Sequence, residues 1–318
     1  MHRIVEYVPY DSSWPDQFSV EAAKIQEALV TNCIDVHHIG STSVPGLAAK
    51  PVLDIMPVVK DITKVNILGL ESIGYKNKGE LGMPFRIYMS KGSPQHTHHL
   101  HIWEIGNPEI EKHLLFRDYL INNAGARAQY ADLKSNLAQQ YKNAHRTYTT
   151  LKDNFIKHLV SKTGFNGLTV VQPLHTNEWQ EYHRIRKQQI FDLLPHIKYD
   201  PNHPTLTDPN HYHFILMKGI NVIAVAQLQM LNEESAALRI LATDIPYQGQ
   251  GYGTYFLNLL ERWVARHGKT KILMHAARRA ELFYRKHGYV EMEFNDKGIS
   301  NDHIDLGKIL NKQNSGLT

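Results

Sequence analysis

The sequence predicts an α+β protein of two domains, and three observations carry that expectation. The chain has 318 residues, about twice the usual size of one domain. Its pattern of elements changes across Ser161-Lys162-Thr163-Gly164-Phe165-Asn166-Gly167, a stretch of polar residues with two glycines. Before that stretch, strands give way to a long helical tract; after it comes a strand, a helix, a meander and a glycine-rich turn. The expected domains are residues 1–163 and 168–318.

The elements follow in order. Asp11-Ser12-Ser13-Trp14-Pro15 is a helix-start signal, with small polar capping candidates followed by Pro. Phe18, Ala22, Ile25, Leu29 and Val30 recur at helical spacing, which predicts a helix to about Asn32. Ile34–Ile39 and the apolar Val52–Val59 read as strands, with a small-residue loop between them. Further strands are expected at Phe85–Met89 and His98–Glu104, and helix from Pro108 to about Lys162. In the second half the strand Thr169–Leu174 precedes a helix over Trp179–Leu194 and a Pro/His/Asn-rich loop, Pro195–Asn210. The meander comprises Tyr212–Lys218, Val222–Leu231 and Ala236–Ile245. A helix over Gly251–His267, a strand over Lys271–His275, a helix over Ala280–Lys286 and terminal strands complete the chain.

Composition narrows the functional classes. Hydrophobic residues at 42% and charged residues at 21% suit a folded chain with sizeable cores. The 35 basic and 31 acidic residues leave a net charge of +4 with no basic run, which argues against nucleic acid as a partner. One cysteine, Cys33, excludes an internal disulfide framework and any multi-cysteine metal site. No stretch approaches 18 apolar residues, so no membrane span is expected. Met1–Tyr7 lacks the apolar core of a signal peptide, and the expected location is the cytoplasm. Histidine is unusually frequent, at 20 residues.

In the second half, Gln248-Gly249-Gln250-Gly251-Tyr252-Gly253 lies between a strand and a helix. Glycines let successive N–H groups turn toward one concavity, and the helix N-terminus adds a positive dipole end. On its own the hexapeptide reads equally as a pyrophosphate cradle or as a turn. Thr254 stands where a dinucleotide fingerprint needs its third glycine, and there is no Gly-Lys-Ser/Thr of a P-loop. With Leu238–Asp244 before it and Ala280-Glu281-Leu282-Phe283-Tyr284-Arg285-Lys286-His287-Gly288-Tyr289 after it, the stretch resembles the GNAT superfamily of acetyl-CoA-dependent N-acyltransferases. The resemblance covers roughly residues 168–312. It implies a central mixed, mostly antiparallel sheet flanked by helices. It also implies that the backbone of Gln248, Gly249, Gln250, Gly251, Tyr252, Gly253 and Thr254 binds the pyrophosphate of CoA. Leu241, Ala242 and Thr243, in the strand ending at Asp244, would hold the pantetheine and the thioester carbonyl. Tyr284 would protonate the departing thiolate. The general base stays open among Asp244, Glu233, His213 and His303, the last in Gly298-Ile299-Ser300-Asn301-Asp302-His303-Ile304-Asp305. Many relatives carry Asn where this chain has Ala277; Arg278 and Arg279 are alternative contacts for a CoA phosphate or plain surface residues.

In the first half, His38-Ile39-Gly40-Ser41-Thr42-Ser43-Val44-Pro45-Gly46-Leu47 leads to Lys50-Pro51-Val52-Leu53-Asp54-Ile55. A Gly-Ser turn after a strand can present N–H groups and a hydroxyl to a phosphate, and Asp54 could hold a metal. This stretch, with Thr97–His101, Phe116–Leu120 and Tyr130–Lys134, resembles the GrpB family over roughly residues 5–160. That family's fold is related to the nucleotidyltransferases, which implies a mixed sheet with helices. Two-metal nucleotidyl transfer needs a second acid two residues after the first, and Met56 stands there. His99 and His101 alternate on a strand and so share a face with each other. Asp54, His99 and His101 are thus candidate ligands of a divalent metal, the other reading being a hydrogen-bonded polar face. Gly40, Ser41 and Lys50 are the candidate phosphate contacts.

The leading functional expectation is an acetyl-CoA-dependent N-acyltransferase in which a small-molecule amine attacks directly. No acyl-enzyme is expected, because Cys33 lies in the other half. The first half would bind a nucleotide or another phosphate-bearing ligand, or help to select the substrate. The alternative is a CoA- or nucleotide-sensing protein without catalysis.

Overall fold

A computed structural model of the chain describes residues 7–141, 145–194, 196–296, 298 and 302–310. The opening Met1–Glu6, Pro195 of the long loop and Ile299–Asn301 of the stretch before His303 lie outside the described residues. The chain divides into two compact units between Thr169 and Val170.

The first unit holds a five-stranded mixed sheet. Its strands are β1 (Cys33–Ile39), β2 (Leu53–Val59), β3 (Tyr75–Asn77), β4 (Ile87–Lys91) and β5 (His98–Glu104), in the spatial order β1-β2-β5-β4-β3. Only the β2–β5 pair is parallel. Helix α1 (Trp14–Leu29) packs Trp14, Ala22, Ile25 and Leu29 on one face, against Leu53, Ile55 and Val59. Its start differs from the expectation: Ser13 makes no side-chain cap, and the Asp11 carboxylate instead accepts from the Ser13 N–H at 2.8 Å. The other sheet face presents Ile39, Met56 and Trp103 to Ile110 and Leu114. Those last two belong to α3 (Pro108–Asn122), which Asn107 caps by accepting from Glu109 N–H. The expected helical tract is three helices, α3, α4 (Ala124–Gln140) and α5 (His145–Lys162), because the chain turns at Asn123 and again at Tyr141. Helix α2 (Ile67–Ser72) and β3 were not legible in the periodicity, each being too short to show one. Val44 and Leu47, both at 0% exposure, pack the small-residue loop onto Leu120, Tyr130 and Leu159, which fixes the Gly40-Ser41 turn in place.

The second unit is built on seven strands. These are β6 (Leu168–Val171), β7 (His211–Lys218), β8 (Asn221–Met230), β9 (Ser235–Thr243), β10 (Lys271–Ala277), β11 (Val290–Glu291) and β12 (His303–Ile309). Their order is β11-β12-β10-β9-β8-β7-β6. Helix α6 (Thr176–Gln189) covers one face, where Tyr182 and Ile185 meet Ile215, Met217, Val225, Ile240 and Ala242. It starts three residues before the expected Trp179, because Glu178 accepts from the N–H groups of Leu174 and His175 and closes the first turn. Helix α7 (Tyr252–Arg266) buries Phe256, Leu257, Leu260, Trp263 and Val264, one apolar stripe at helical spacing, over β8, β9 and β10. The last helix, α8 (Glu281–Lys286), lies between β10 and β11 in the chain.

The decisive feature is where β9 and β10 part. They pair in parallel over Ser235–Ala237 and Lys271–Leu273 and no further. Beyond that point β9 continues on β8 as far as Thr243, while β10 continues on β12 as far as Ala277. A bulge at Arg239, which has no partner between Leu238↔Leu228 and Ile240↔Gln227, bends β9 at the start of the wedge. No described helix is long and apolar enough to cross a membrane.

Trp263 is 2% exposed and packs its ring 4.9 Å from both Tyr212 and Phe214. Trp263→Ala is expected to destabilise the second unit by about 3–5 kcal/mol, read as a lower midpoint in urea unfolding of the full chain.

Candidate functional site

In the second unit the glycine-rich turn stands at the end of β9. Gly249 and Gly251 have φ of +73° and +84°, and a Cβ at either would meet open space. Glycine is needed there for the left-handed backbone and not for room. Gln248 and Gln250 fold back, donating to the carbonyls of Thr243 and Pro246 at 2.9 and 2.8 Å. That leaves the backbone edge exposed. The first turn of α7 adds the N–H groups of Tyr252, Gly253 and Thr254, which have no acceptor inside the helix. Tyr252 accepts from the Lys218 ammonium at 2.7 Å, and Thr254 Oγ1 lies 3.0 Å from His287 Nε2. Leu241 and Thr243 are half-buried and Ala242 is buried on the last residues of β9. The arrangement fits a diphosphate at the turn and an extended thiol arm in the wedge.

Tyr284 is 8% exposed on α8, with Phe283 and Tyr289 as ring neighbours at 5.1 and 5.5 Å. Burial raises its phenol above the ordinary value, so it stands protonated at neutral pH, as a proton donor must.

The expected bases fare differently. Asp244 sits just past β9, where Arg184 of α6 holds both its oxygens at 3.1 and 2.7 Å and Ile245 N–H donates to one of them. Held bidentately by a guanidinium, this carboxylate ties α6 to the end of β9. His213 is tied at both nitrogens, to the Tyr182 hydroxyl and the Thr205 carbonyl. Glu233 lies in the exposed turn before β9. His303 opens β12, with Nε2 3.3 Å from Asp305 Oδ1. Of the two arginines, Arg278 donates to Asp302 and Arg279 to the Gln189 carbonyl.

In the first unit the loop after β1 meets the carboxylate on β2. Gly40 has φ +71°, and a Cβ there would stand 2.3 Å from Asp54 Oδ2. Ser41 Oγ accepts from Lys134 Nζ at 3.0 Å, and the same ammonium donates to the Ala48 carbonyl at 2.8 Å. Lys134 is 1% exposed and lies 4.7 Å from the Tyr130 ring. Burial, with Lys152 acting in the same direction and Asp54 opposing, pushes its amine down to about 7. Lys50 is half-buried at the end of the loop.

Asp54, His99 and His101 do converge. Asp54 pairs directly with His99 across the parallel strands, and Asp54 Oδ1 lies 3.1 Å from His99 Nδ1 and 3.7 Å from His101 Nε2. Burial pushes the Asp54 carboxyl up, but the hydrogen bonds and charge of the two rings outweigh it and hold the group far below the usual range. The fit to a metal is incomplete. Arg86 Nη1 lies 3.2 Å from His101 Nδ1, and a guanidinium can only donate. His101 Nδ1 is therefore the acceptor and its Nε2 carries the proton, the reverse of a ligating histidine, which donates from its outer nitrogen. Asp54 and His99 suit a metal; His101 does so only once Arg86 withdraws. Met56, on the same face, is 0% exposed where a second acid would stand.

Residues 4–162, half of the chain, match the model of the GrpB protein family. The chain belongs to the GrpB family. Residues 172–289 match the model of the Acetyltransferase (GNAT) family, so the chain carries a GrpB domain followed by a GNAT domain. The UPF0157 protein YqkA of Bacillus subtilis is 41% identical over 157 residues, covering 49% of this chain and 46% of that protein. The chain thus spans about half the length of that relative. A crystal structure of conserved protein GrpB from Enterococcus faecalis is 42% identical, with a TM-score of 0.48 over 50% of this chain and 96% of the other. A putative N-acetyltransferase from Lactobacillus plantarum shares 18% identity, with a TM-score of 0.40 over 46% of this chain and 99% of that one.

Sequence reasoning gave no role of their own to Lys134, Arg184 or His275, and offered Arg86 only as a cation for a phosphate. Each meets its partner across 15 to 93 residues of sequence, so no local spacing could have shown it.

Lys134 gives a pH test. The fold disfavours its ammonium, so between about pH 7 and the ordinary 10.5 the unfolded chain binds the extra proton. Stability contributed by this group therefore rises with pH through that window. The stability of the full chain relative to Lys134→Met is expected to increase from about pH 7 to about pH 10, measured by urea unfolding at each pH.

Proposed function

We propose that the GNAT domain transfers the acetyl group of acetyl-CoA to a small-molecule amine, by direct attack of the amine on the thioester. The observation that carries the reading is the left-handed turn at Gly249 and Gly251, feeding the N-terminus of α7 beside the wedge between β9 and β10. In this reading the amides from Gln248 to Thr254 hold the pyrophosphate, and the edge of β9 from Leu241 to Thr243 pairs with the pantetheine. Backbone N–H groups at the bulged part of β9 stabilise the oxyanion. Tyr284 hands its proton to the thiolate as the C–S bond breaks. Burial raises the proton affinity of a thiolate beside it as well, so the two groups stay matched.

The test is calorimetry of the full chain with acetyl-CoA, followed by thiol release over a panel of amines. Tyr284→Phe is expected to lower kcat on the order of 10²-fold while leaving acetyl-CoA affinity unchanged. Tight binding with no turnover for any amine, and no effect of Tyr284→Phe, would instead identify a CoA sensor.

For the GrpB domain the reading is a phosphate-bearing ligand at Gly40 and Ser41, with Lys134 and Lys50 as cations and a divalent transition metal on Asp54 and His99. The direct contact of Gly40 with Asp54 favours it, since that contact brings an anion-binding turn and a carboxylate to one point. His101 completes the ligand set when Arg86 is removed. Arg86→Met is therefore expected to tighten Zn2+ binding to the full, tag-free chain by about tenfold or more, and Asp54→Asn to abolish the binding that this variant gains. Calorimetry with Zn2+ reads both.

A further inference from the structure

His275 lies on β10, two residues past Leu273, the last residue that pairs with β9. Residues two apart on a strand share a face, so His275 looks out on the same side as Leu273 and Ala237, the α6 side of the sheet. It thus stands at the fork of the wedge, level with the bulge at Arg239. Directly across the antiparallel pair is Asp305, whose Oδ1 lies 2.8 Å from His275 Nδ1. Asp305 is itself held: its Oδ2 accepts from Phe294 N–H at 3.2 Å. The Phe294 ring stacks on His275 at 4.5 Å and fixes the plane of the imidazole. The His275 side chain is 8% exposed, and among the described residues its Nε2 has no hydrogen-bond partner although it is buried.

A buried nitrogen left without a partner is costly, and this one is oriented as if for a proton. With Nδ1–H donated to the carboxylate, the neutral ring carries its lone pair on Nε2. The ring is held to β12 through Nδ1, which leaves Nε2 as its one uncommitted nitrogen at the fork where β9 and β10 part. We propose that His275, oriented by Asp305, is the proton acceptor for the amine in acetyl transfer. The inference rests on the acetyltransferase reading and adds to it the group that reading lacked.

An ammonium substrate gives one proton to His275 Nε2, and the freed nitrogen lone pair forms the C–N bond at the thioester carbonyl. The C–S bond breaks, and the thiolate takes the proton of Tyr284. The second proton of the amine, released as the amide forms, replaces it through solvent. The imidazolium is stabilised by Asp305 and discharges to water beside His303, which is partly exposed and shares the same carboxylate oxygen. The other charges facing the ring are accounted for. Arg239 on the neighbouring β9 is engaged by Gln229 and Asp296, with its guanidinium 5.2 Å from the Phe294 ring. Asp305 is therefore a positioning residue, and His275 the catalytic one.

The experiment assays the full chain for CoA release from acetyl-CoA with spermidine, ethanolamine, histamine and lysine amide as probes. His275→Ala is expected to lower kcat/KM by about 10² or more, with acetyl-CoA affinity by calorimetry unchanged. Added imidazole is expected to restore the rate in proportion to its free-base form, and Asp305→Glu to retain more activity than Asp305→Asn. Wild-type activity within about threefold in His275→Ala, loss that imidazole does not restore, or activity abolished by a chelator and recovered with Zn2+ overturns the proposal while leaving the acetyltransferase reading intact. If the wild-type chain releases no CoA with any probe, that reading fails, and the proposal with it.

Discussion

Two parallel strands that pair for only three residues organise everything of functional interest in the GNAT domain. A continuous sheet would satisfy every N–H and C=O of β9 and β10 internally. Because the strands part after Ala237 and Leu273, each has one edge for which the sheet supplies no partner. The bulge at Arg239 directs one strand away, and the β10–β12 pairing holds the other in place. The wedge then has walls of backbone, a floor of buried side chains and a mouth at which α7 begins. The proposed diphosphate cradle, thiol arm and proton donor all depend on that one failure of pairing.

The GrpB domain concentrates its chemistry differently, around a single carboxylate. Asp54 lies against the glycine turn, beneath two imidazoles and near a buried lysine. Its charge lowers the cost of burying Lys134 and opposes the fall in proton affinity of His38 and His101. One ionised group thus acts on several neighbouring titrations at once, each time against the larger effect of burial.

Elements with a repeating pattern were legible in the sequence. Helix α7 is an example, as its buried residues recur at helical spacing, and so is the meander, whose strands are apolar runs parted by turns. The turn at Gly249 and Gly251 was also legible, because glycine there answers a backbone need that no other residue meets cheaply. What stayed hidden depends on strand registry. His275 faces Asp305 because β10 and β12 align residue for residue, and nothing in the intervening 30 positions encodes that alignment. Asp244 was left open as a base for a related reason: the guanidinium that holds it comes from a helix 60 residues earlier. His99 and His101 were read correctly as sharing a face, whereas the competition from Arg86 for His101 needed three dimensions.

Met56 has a consequence for the history open to this fold. It is sealed against Ile39 and Trp103 at the position where a paired carboxylate would serve two-metal chemistry. A single change to Asp at that site would place an anion among apolar groups, close to the charge of Asp54. A second acid there would require the surrounding packing to change together with it. The apolar core thus holds this site to a single carboxylate.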